Sequence, residues 1–284
     1  MMPLPLWFKG LTPELSKKAA EELGETADVK KKALIEFKHL IEEQHDIKCR
    51  TDDSFLLRFL RVKKFDTQKA FRTFRNYHEF RTKHSGVFTC LKPSDVRNVI
   101  DMNIINYVSY RVSDGSHVAM FRLGKLDTNV VKLEDLVATV LICGELIFEC
   151  EATQICGGIL IIDFLNISLQ HYAMFLNLSF VKFTINTFQD CWPDRVKGIH
   201  FVNQPAALTA IYHLVKPFVK KKLLQRVHFH GSKLESLHEF VPKELLPEEL
   251  GGTMGPFNNK EFASYFYSQE SFISNINQYG IIKT

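Results

Sequence analysis

Residue types that catalyse reactions occur in this chain without the spacing that catalysis requires. The sequence contains no GxGxxG, GxxxxGK[ST], GxSxG or HExxH pattern. His228 and His230 alternate on a predicted strand and share a face, where they could bind a metal, but no third ligand has a suitable spacing, so we favour packed histidines. Asp163 ends another predicted strand, and a structural role as the cap of the helix entry at residues 166–168 is favoured over a catalytic one. The sequence therefore predicts no enzyme activity, no cofactor and no metal site.

A one-sided charge distribution predicts binding instead. Residues 195–226 contain seven Lys and Arg side chains and no Asp or Glu, in a chain whose formal net charge is only +4. Arg195 and Lys197 are two apart at the start of a predicted strand and point the same way, while Lys222 and Arg226 are four apart on a helix. A solvated helix face can look similar, but the absence of compensating acids favours a site for phosphate groups.

A predicted helix that starts at Ala206 lies between these cations and has two apolar stripes about 100° apart. The first stripe consists of Ala207, Ile211, Leu214 and Phe218, and the second of Leu208, Tyr212, Val215 and Val219. One stripe is enough to pack a helix on a core. Two stripes followed by lysines favour a helix with one face on an internal cavity and the other on lipid. Pro217 should kink or end this helix.

The elements that position these residues change in type along the chain. The first ninety residues predict helices, one over 30–44 and two that begin at the caps Asp52 and Asp66. From about residue 106, short apolar strands alternate with helices, which is typical of an α/β domain with a largely parallel sheet. Strands are predicted over 107–112, 117–123, 159–163, 198–202 and 227–230, and helices over 133–153, 168–189, from 206 and over 261–274.

Composition excludes several classes of protein. The small net charge gives no indication of nucleic-acid binding, and no apolar run reaches the 18 residues of a membrane span. Six cysteines form no CxxC pair, and the first ten residues lack the features of a secretory signal, so we expect reduced thiols and an intracellular location. The 24 Phe against 2 Trp fit either a Phe-rich core or a greasy cavity.

Four runs of sequence, in order, resemble the CRAL-TRIO lipid-binding family. They are residues 53–61 (DSFLLRFLR) with Lys64-Phe65-Asp66, residues 192–205 (WPDRVKGIHFVNQP), residues 216–231 from KPF to RVHFHG, and residues 246–252 (LPEELGG). The resemblance implies a small all-helical N-terminal domain, residues 1–92. It also implies an α/β lipid-binding domain, residues 93–284, with a mostly parallel sheet, flanking helices, a helical lid and a C-terminal helix.

The resemblance also implies roles for particular residues. Positions similar to the family's cavity lining are Val137, Val140, Gly144, Thr187, Phe188, Val215 and Val219. The implied phosphoinositide-binding residues are Arg72, Arg195, Lys197, Lys222 and Arg226. The implied membrane gate is the helix over residues 204–226, whose outer stripe is Ala207, Ile211, Leu214 and Phe218.

These features predict a monomeric, cytoplasmic carrier of one lipophilic molecule that binds transiently to phosphoinositides on acidic membranes. Val140 and Gly144 stand where tocopherol-binding members have serines, so a contact to a ligand hydroxyl is not expected there. A retinoid, a tocopherol, a carotenoid or another isoprenoid remains open as the ligand, as do a sterol-like molecule and an acyl lipid. Two other functions remain open: a phosphoinositide-sensing adaptor, and an α/β enzyme acting on an apolar substrate.

Overall fold

Helices surround a five-stranded sheet in the computed structural model, which describes residues 4–282 apart from the side chain of Asp190. Residues 1–3, 283 and 284 lie outside the described residues. They include the predicted domain limits at residues 1 and 284 and the first three of the ten residues that were predicted to lack a secretory signal. No helix in the described range is long and apolar enough to cross a bilayer. No disulfide joins the cysteines within it.

The N-terminal part consists of four helices and one short strand. They are α1 (Pro13–Leu23), α2 (Ala27–Glu42), β1 (Ile47–Lys48), α3 (Asp53–Val62) and α4 (Thr67–Lys83). The two predicted caps are confirmed: a carboxylate oxygen of Asp52 accepts from the Phe55 N–H at 3.0 Å, and one of Asp66 accepts from the Lys69 N–H at 3.0 Å. These bonds satisfy N–H groups that have no partner within the first turn of a helix.

The sheet is parallel except at one edge. Its strands are β2 (Ile105–Tyr107), β3 (His117–Arg122), β4 (Gly158–Asp163), β5 (Val196–Val202) and β6 (Val227–Gly231), in the spatial order β2-β3-β4-β5-β6. Only β2 runs antiparallel to its neighbour. The predicted α/β class with a mostly parallel sheet is therefore confirmed.

Helices connect and flank these strands. They are α5 (Arg97–Ile100), α6 (Leu133–Ile147), α7 (Glu151–Cys156), α8 (Leu169–Phe175), α9 (Leu178–Asn186), α10 (Ala206–Val215), α11 (Lys221–Leu224), α12 (Glu235–His238), α13 (Lys260–Ser268) and α14 (Glu270–Ile276). A short final strand, β7 (Gly280–Ile281), pairs with β1 and so ties the C-terminus to the N-terminal helices. The predicted C-terminal helix over 261–274 is thus two helices, α13 and α14.

Two other predicted helices are also divided. The helix predicted over 133–153 ends at Ile147, and the Gln154 side chain donates to the Phe148 carbonyl at 2.7 Å beyond that end. The helix predicted over 168–189 breaks at Asn177, whose side-chain oxygen accepts from the Ser179 N–H at 2.9 Å and starts α9. A polar side chain that binds the backbone locally competes with the helix, so the apolar period continues while the helix does not.

The strand predicted over 107–112 is wrong in its position, since β2 covers Ile105–Tyr107. The following residues still bond to the segment around β3, since the Val108 N–H donates to the Val118 carbonyl at 3.0 Å and the Val112 N–H to the Ser116 carbonyl at 2.9 Å. On their other edge they pair with the start of the chain. The Leu6 N–H donates to the Ser109 carbonyl at 2.7 Å, and the Arg111 N–H donates to the Leu4 carbonyl at 2.8 Å.

Buried apolar side chains form one cluster that includes Phe59 from the N-terminal helices and Leu146 from α6. A second cluster, which includes Ile161 and Val202, lies on the opposite face of the sheet. The predicted domain boundary after residue 92 stays a prediction, because one cluster contains residues from both sides of it.

Candidate functional site

The face of the sheet that borders the larger cluster is incompletely covered at its middle strand. Ile159 and Ile161 of β4 are 8% and 1% exposed on one face, whereas Leu160 and Ile162 on the other face are only half-buried. Two strands flank β4 on each side, and a fully covered face would bury these side chains as completely as the first. Leu160 and Ile162 are therefore less completely covered than the side chains on the other face.

Helices α9 and α10 contact each other beside this face. Although α9 is rich in apolar residues, none of its side chains is fully buried. Phe180 and Phe183, for example, are half-buried against the larger cluster. From α10, the Tyr212 ring contacts Phe229 of β6 at 5.0 Å, and Phe229 pairs with Phe201 on the same face as Ile162. Apolar side chains of both the sheet and the helices therefore border this part of the face.

The structure places most of the predicted cavity residues around these helices. Val137 and Val140 of α6 and Phe188 after α9 are half-buried and pack against the larger cluster. Val215 is buried at the end of α10, and Val219 is half-buried just beyond it. Their assignment to a ligand stays a prediction.

Gly144 and Thr187, the other two predicted cavity residues, have contacts of their own. A Cβ atom on Gly144 would lie 2.7 Å from the Trp192 indole nitrogen, so the absence of a side chain permits close packing there. Buried Thr187 donates its hydroxyl to the Phe183 carbonyl at 2.9 Å. Neither residue offers a free polar group to a ligand.

The two stripes predicted for α10 differ in burial. Ala207, Leu214 and Phe218 of the first stripe are exposed, Leu214 and Phe218 by 64% and 58%, while Ile211 is half-buried. Leu208 and Val215 of the second stripe are buried. The single helix predicted over 204–226 is wrong, because α10 ends at Val215, a 3₁₀ turn follows over Lys216–Phe218 at Pro217, and α11 is separate. Within α10, one apolar stripe is buried and the other is largely exposed.

The end of α10 is bound to the end of α9. The Gln189 amide donates to the Phe218 carbonyl at 3.3 Å and accepts from the Lys220 N–H at 2.7 Å. The Lys182 ammonium lies 4.7 Å from the centre of the Phe218 ring. Both hydrogen bonds are exposed to solvent.

Three of the predicted phosphoinositide-binding cations lie together at the start of β5 and the end of α11. The Arg195 guanidinium is 3.0 Å and the Lys197 ammonium 3.3 Å from the same carboxylate oxygen of Glu22 on α1. The Arg226 guanidinium donates to the Val196 carbonyl between them. An acid therefore compensates this group of cations, contrary to the expectation from residues 195–226 alone, and it comes from a distant part of the sequence.

Lys222 is close enough to these cations to interact with their charges, and the four residues Arg195, Lys197, Lys222 and Arg226 are called the basic cluster. Burial and the positive charges of Arg226, Arg195, Lys64 and Lys197 lower the pKa of Lys222. This concentration of positive charge favours an anion that could stabilise the ammonium. Lys64 was not among the predicted site residues: it belongs to a run that carries the family resemblance, but nothing in the local sequence places it near residues 195–226.

Arg72, the fifth predicted cation, is exposed on α4. Its positive charge helps to lower the pKa of Asp66, after the hydrogen bonds that Lys69 gives to that carboxylate. Lys64 is thus the residue of the N-terminal helices whose charge acts on Lys222, and the role predicted for Arg72 stays a prediction.

Asp194 adds a second carboxylate next to the cluster. Burial raises the pKa of Asp194 to about 6, against the opposing effects of the Arg195 backbone N–H and of the Arg195 and Arg226 charges. One of its carboxylate oxygens is buried without a hydrogen-bond partner among the described residues. The charge of the cluster therefore increases as the pH falls through about 6.

The residues considered for metal binding or catalysis have structural partners. His230 lies with one ring nitrogen 2.9 Å from His200 and the other 2.6 Å from the Ser236 hydroxyl. His228 stacks on His200 with 4.8 Å between ring centres. Asp163 accepts from the Leu165 N–H at 2.9 Å in the turn after β4, whereas α8 begins at Ser168, so the predicted cap of the helix entry is wrong although the role is structural.

Comparison with known proteins gives a consistent family assignment. Residues 101–252 match the CRAL/TRIO domain. Clavesin-1 from Pongo abelii is 35% identical over 252 residues, which is 88% of this chain and 71% of clavesin-1. The human alpha-tocopherol transfer protein-like protein is 31% identical over 274 residues, which is 95% of this chain and 79% of that protein. The solved structure of Sfh5 superposes with a TM-score of 0.55 at 14% identity, covering 87% of this chain and 99% of Sfh5, and supports the fold alone.

The fold and the length of these matches define the class of protein. The chain belongs to the CRAL-TRIO family of lipid-binding transfer proteins, as the resemblance of its four sequence runs predicted.

Proposed function

We propose that this protein is an intracellular carrier, not an enzyme, that encloses one apolar small molecule and delivers it to phosphoinositide-containing membranes. The observation that carries the proposal is the incomplete cover of Leu160 and Ile162 at the middle of the sheet. Protein interiors are close-packed, and an empty apolar cavity costs stability, so such a space is favourable when a ligand fills it. Membership in a family of lipid-binding transfer proteins supports this interpretation.

The chemistry of the walls supports an apolar ligand, and we take an isoprenoid such as a retinoid, a tocopherol or a carotenoid as the proposed class. Val140, Phe183 and Phe188 offer only apolar contacts, and the Thr187 hydroxyl already donates to the backbone. An apolar wall binds through surface removed from water and does not select for a polar head. The name of one relative, a tocopherol transfer-like protein, is in agreement with this class.

The outer side of α10 supports delivery at a membrane. Leu214 and Phe218 are exposed in the same region as the exposed side chains of Lys216 and Lys221. Apolar side chains flanked by cations are typical of a helix that lies in the interface of an anionic bilayer.

Identification of the bound molecule is the direct test of the carrier function. Native mass spectrometry of protein purified from its own tissue, followed by organic extraction, should detect one lipophilic molecule per chain. Saturable binding of a member of a panel of retinoids, tocopherols, carotenoids, sterols and acyl lipids should follow. If the protein is empty and no member of the panel binds saturably, the carrier function is wrong.

The basic cluster should control delivery. In the double variant Lys222→Ala/Arg226→Ala, we expect transfer to vesicles containing a phosphoinositide bisphosphate to be about tenfold slower or more, since each cation near an anionic surface contributes about 1 kcal/mol. The deficit should shrink at high ionic strength, because salt screens the attraction that the wild type retains. Ligand affinity in solution should not change.

A charge-matched control separates the effect of the basic cluster on the transfer rate from the effect of the protein's net charge. Lys31 and Lys32 are exposed on α2, and Lys31→Ala/Lys32→Ala removes the same charge elsewhere. The control should transfer ligand at close to the wild-type rate. Equal rates for the cluster variant and the wild type would mean that the cluster is only a solvated surface.

The exposed stripe of α10 should contribute through apolar insertion. Leu214→Ser/Phe218→Ser should weaken vesicle binding about tenfold or more, because a buried Leu or Phe side chain contributes about 1.5–3 kcal/mol when fully transferred from water. This loss should be the same at low and high salt, unlike that of the cluster variant. Ile35→Ser on α2, where Ile35 is 62% exposed, serves as the control and should leave binding unchanged. A salt-sensitive loss, or an equal loss in the control, would contradict insertion through α10.

A further inference from the structure

An acidic side chain from the N-terminal helices occupies the basic cluster. One carboxylate oxygen of Glu22 lies between the Arg195 guanidinium at 3.0 Å and the Lys197 ammonium at 3.3 Å. The Arg195 and Lys197 side chains are only 13% and 23% exposed, whereas that of Glu22 is 36% exposed. The carboxylate therefore sits on the outer side of two partly buried cations, where an incoming anion would arrive.

The position of Glu22 is fixed by the packing of its helix. Leu15, Ala19 and Leu23 of α1 are buried in an apolar cluster together with Ala152 and Ile155 of α7. Helix α1 therefore has an apolar anchor that does not depend on the ion pairs, and Glu22 remains next to the cluster whether or not they form.

A second partner allows the carboxylate to leave the cluster. The other oxygen of Glu22 is 3.2 Å from the ammonium of Lys18, one turn earlier on α1. Burial opposes ionisation of Glu22, but the charges of Lys197 and Lys18 outweigh it and keep its pKa below the ordinary value. A rotation of the Glu22 side chain toward Lys18 would preserve an ion pair and leave Arg195 and Lys197 open.

We propose that Glu22 is an internal competitor that marks a phosphate subsite, so that a phosphate monoester binds Arg195 and Lys197 by displacing the Glu22 carboxylate. Phosphate carries more charge and more acceptor oxygens than a carboxylate, and it can contact several cations at once. Lys222 and Arg226 remain available in the same cluster, where Asp194 is the other nearby acid. The inference rests on the phosphate-binding role proposed above for this cluster and identifies the point in it at which the anion exchanges.

The variant Glu22→Gln tests the competition. It retains the shape of the side chain and removes the charge, so we expect affinity for vesicles containing a phosphoinositide bisphosphate to increase about threefold to tenfold, as for the loss of two partly exposed ion pairs. Soluble inositol trisphosphate should bind more tightly by a similar factor, and inorganic phosphate should compete with it. If the protein binds the vesicles but neither of the soluble compounds, the exchange belongs to the membrane surface. That result would contradict a phosphate subsite.

Three further variants exclude trivial causes. Glu21→Gln removes the same charge from the exposed neighbour that pairs with Lys17 at 3.8 Å, and it should leave affinity unchanged. Lys197→Ala should weaken binding more in the Glu22→Gln background than in the wild type, because Lys197 is neutralised by Glu22 only in the latter. Glu22→Ala, checked for an unchanged melting temperature, should behave as Glu22→Gln does.

The outcomes separate this inference from the proposed function. If the wild type binds phosphoinositide vesicles and Glu22→Gln binds equally or more weakly, Glu22 orders the cations for binding, and the competition is wrong. If the wild type and Lys222→Ala/Arg226→Ala show the same binding at every salt concentration, the phosphate-binding role of the cluster fails, and the subsite fails with it.

Discussion

Replacement of Glu145 by leucine is expected to lower the free energy of unfolding by about 3–5 kcal/mol, the usual effect of removing one partner from a buried ion pair. Glu145 lies on α6, and its side chain is only 5% exposed. The guanidinium groups of Arg58 and Arg81 are each 3.1 Å from its carboxylate, and the Tyr77 hydroxyl donates to it. Two cations and one phenol therefore depend on a single acid.

The cost arises mainly from the cations that the substitution would leave behind. Arg58 would retain its ion pair with Glu149. The Arg81 guanidinium would keep hydrogen bonds to neutral groups, the Asn277 side chain at 3.0 Å and the Ile276 carbonyl at 3.4 Å. Transfer of a charge from water to an apolar surrounding is costly unless a partner compensates it. Tyr77 cannot compensate by ionising, because burial holds its pKa well above the ordinary value.

Urea denaturation of Glu145→Leu, Arg81→Met and the double variant measures this dependence. We expect Arg81→Met to restore part of the stability that Glu145→Leu loses, with a coupling energy of about 1–3 kcal/mol. Glu149→Leu is a suitable comparison, since Glu149 is 30% exposed, and it should cost less than Glu145→Leu. A loss below about 1 kcal/mol for Glu145→Leu would contradict a network on which stability depends.

This network connects the N-terminal helices to one wall of the proposed cavity. Arg58 and Arg81 come from α3 and α4, while Glu145 lies one helical turn or so beyond Val140 on α6. The N-terminal helices therefore help to hold α6 in place through these ion pairs. In contrast, α9 and α10 lack comparable buried ion pairs in the part of the chain that the structure describes, which suits them to move.

Local patterns in the sequence predicted the features that depend on local interactions. The caps at Asp52 and Asp66 each involve residues within a few positions of one another. The same is true of the two apolar stripes of α10. Helical and strand periods are determined in the same way, so the order of elements and the parallel sheet could be predicted.

Contacts between distant residues could not be predicted. Glu22 neutralises cations that lie more than 170 residues away, and an inspection of residues 195–226 could not find it. The reason for a glycine at position 144 is the indole of Trp192, which arrives from a different element. Both contacts depend on how elements that are distant in the sequence pack together, and the local sequence gives no signal of such packing.

The proposed cavity itself can be tested by filling it. The substitution Val140→Trp should leave the free energy of unfolding of the ligand-free protein within about 1 kcal/mol of the wild type while weakening ligand binding at least tenfold. The reason is that Val140 is half-buried beside the proposed space, so an indole can enter that space without displacing the core. Equilibrium unfolding of lipid-free protein and titration with the identified ligand provide the two measurements.

The same substitution at a solid position is the control. Val99 is fully buried in the same apolar cluster, and Val99→Trp should destabilise the protein by at least about 1–3 kcal/mol, the usual cost of overpacking a close-packed core. The two variants carry identical changes in volume and chemistry, so a difference between them measures the free space at each site. If Val140→Trp is as destabilising as Val99→Trp, the interior next to α6 is already full, and a ligand would have to bind elsewhere. If Val140→Trp is stable but binds the ligand with wild-type affinity, the space exists but the ligand does not use the α6 side of it.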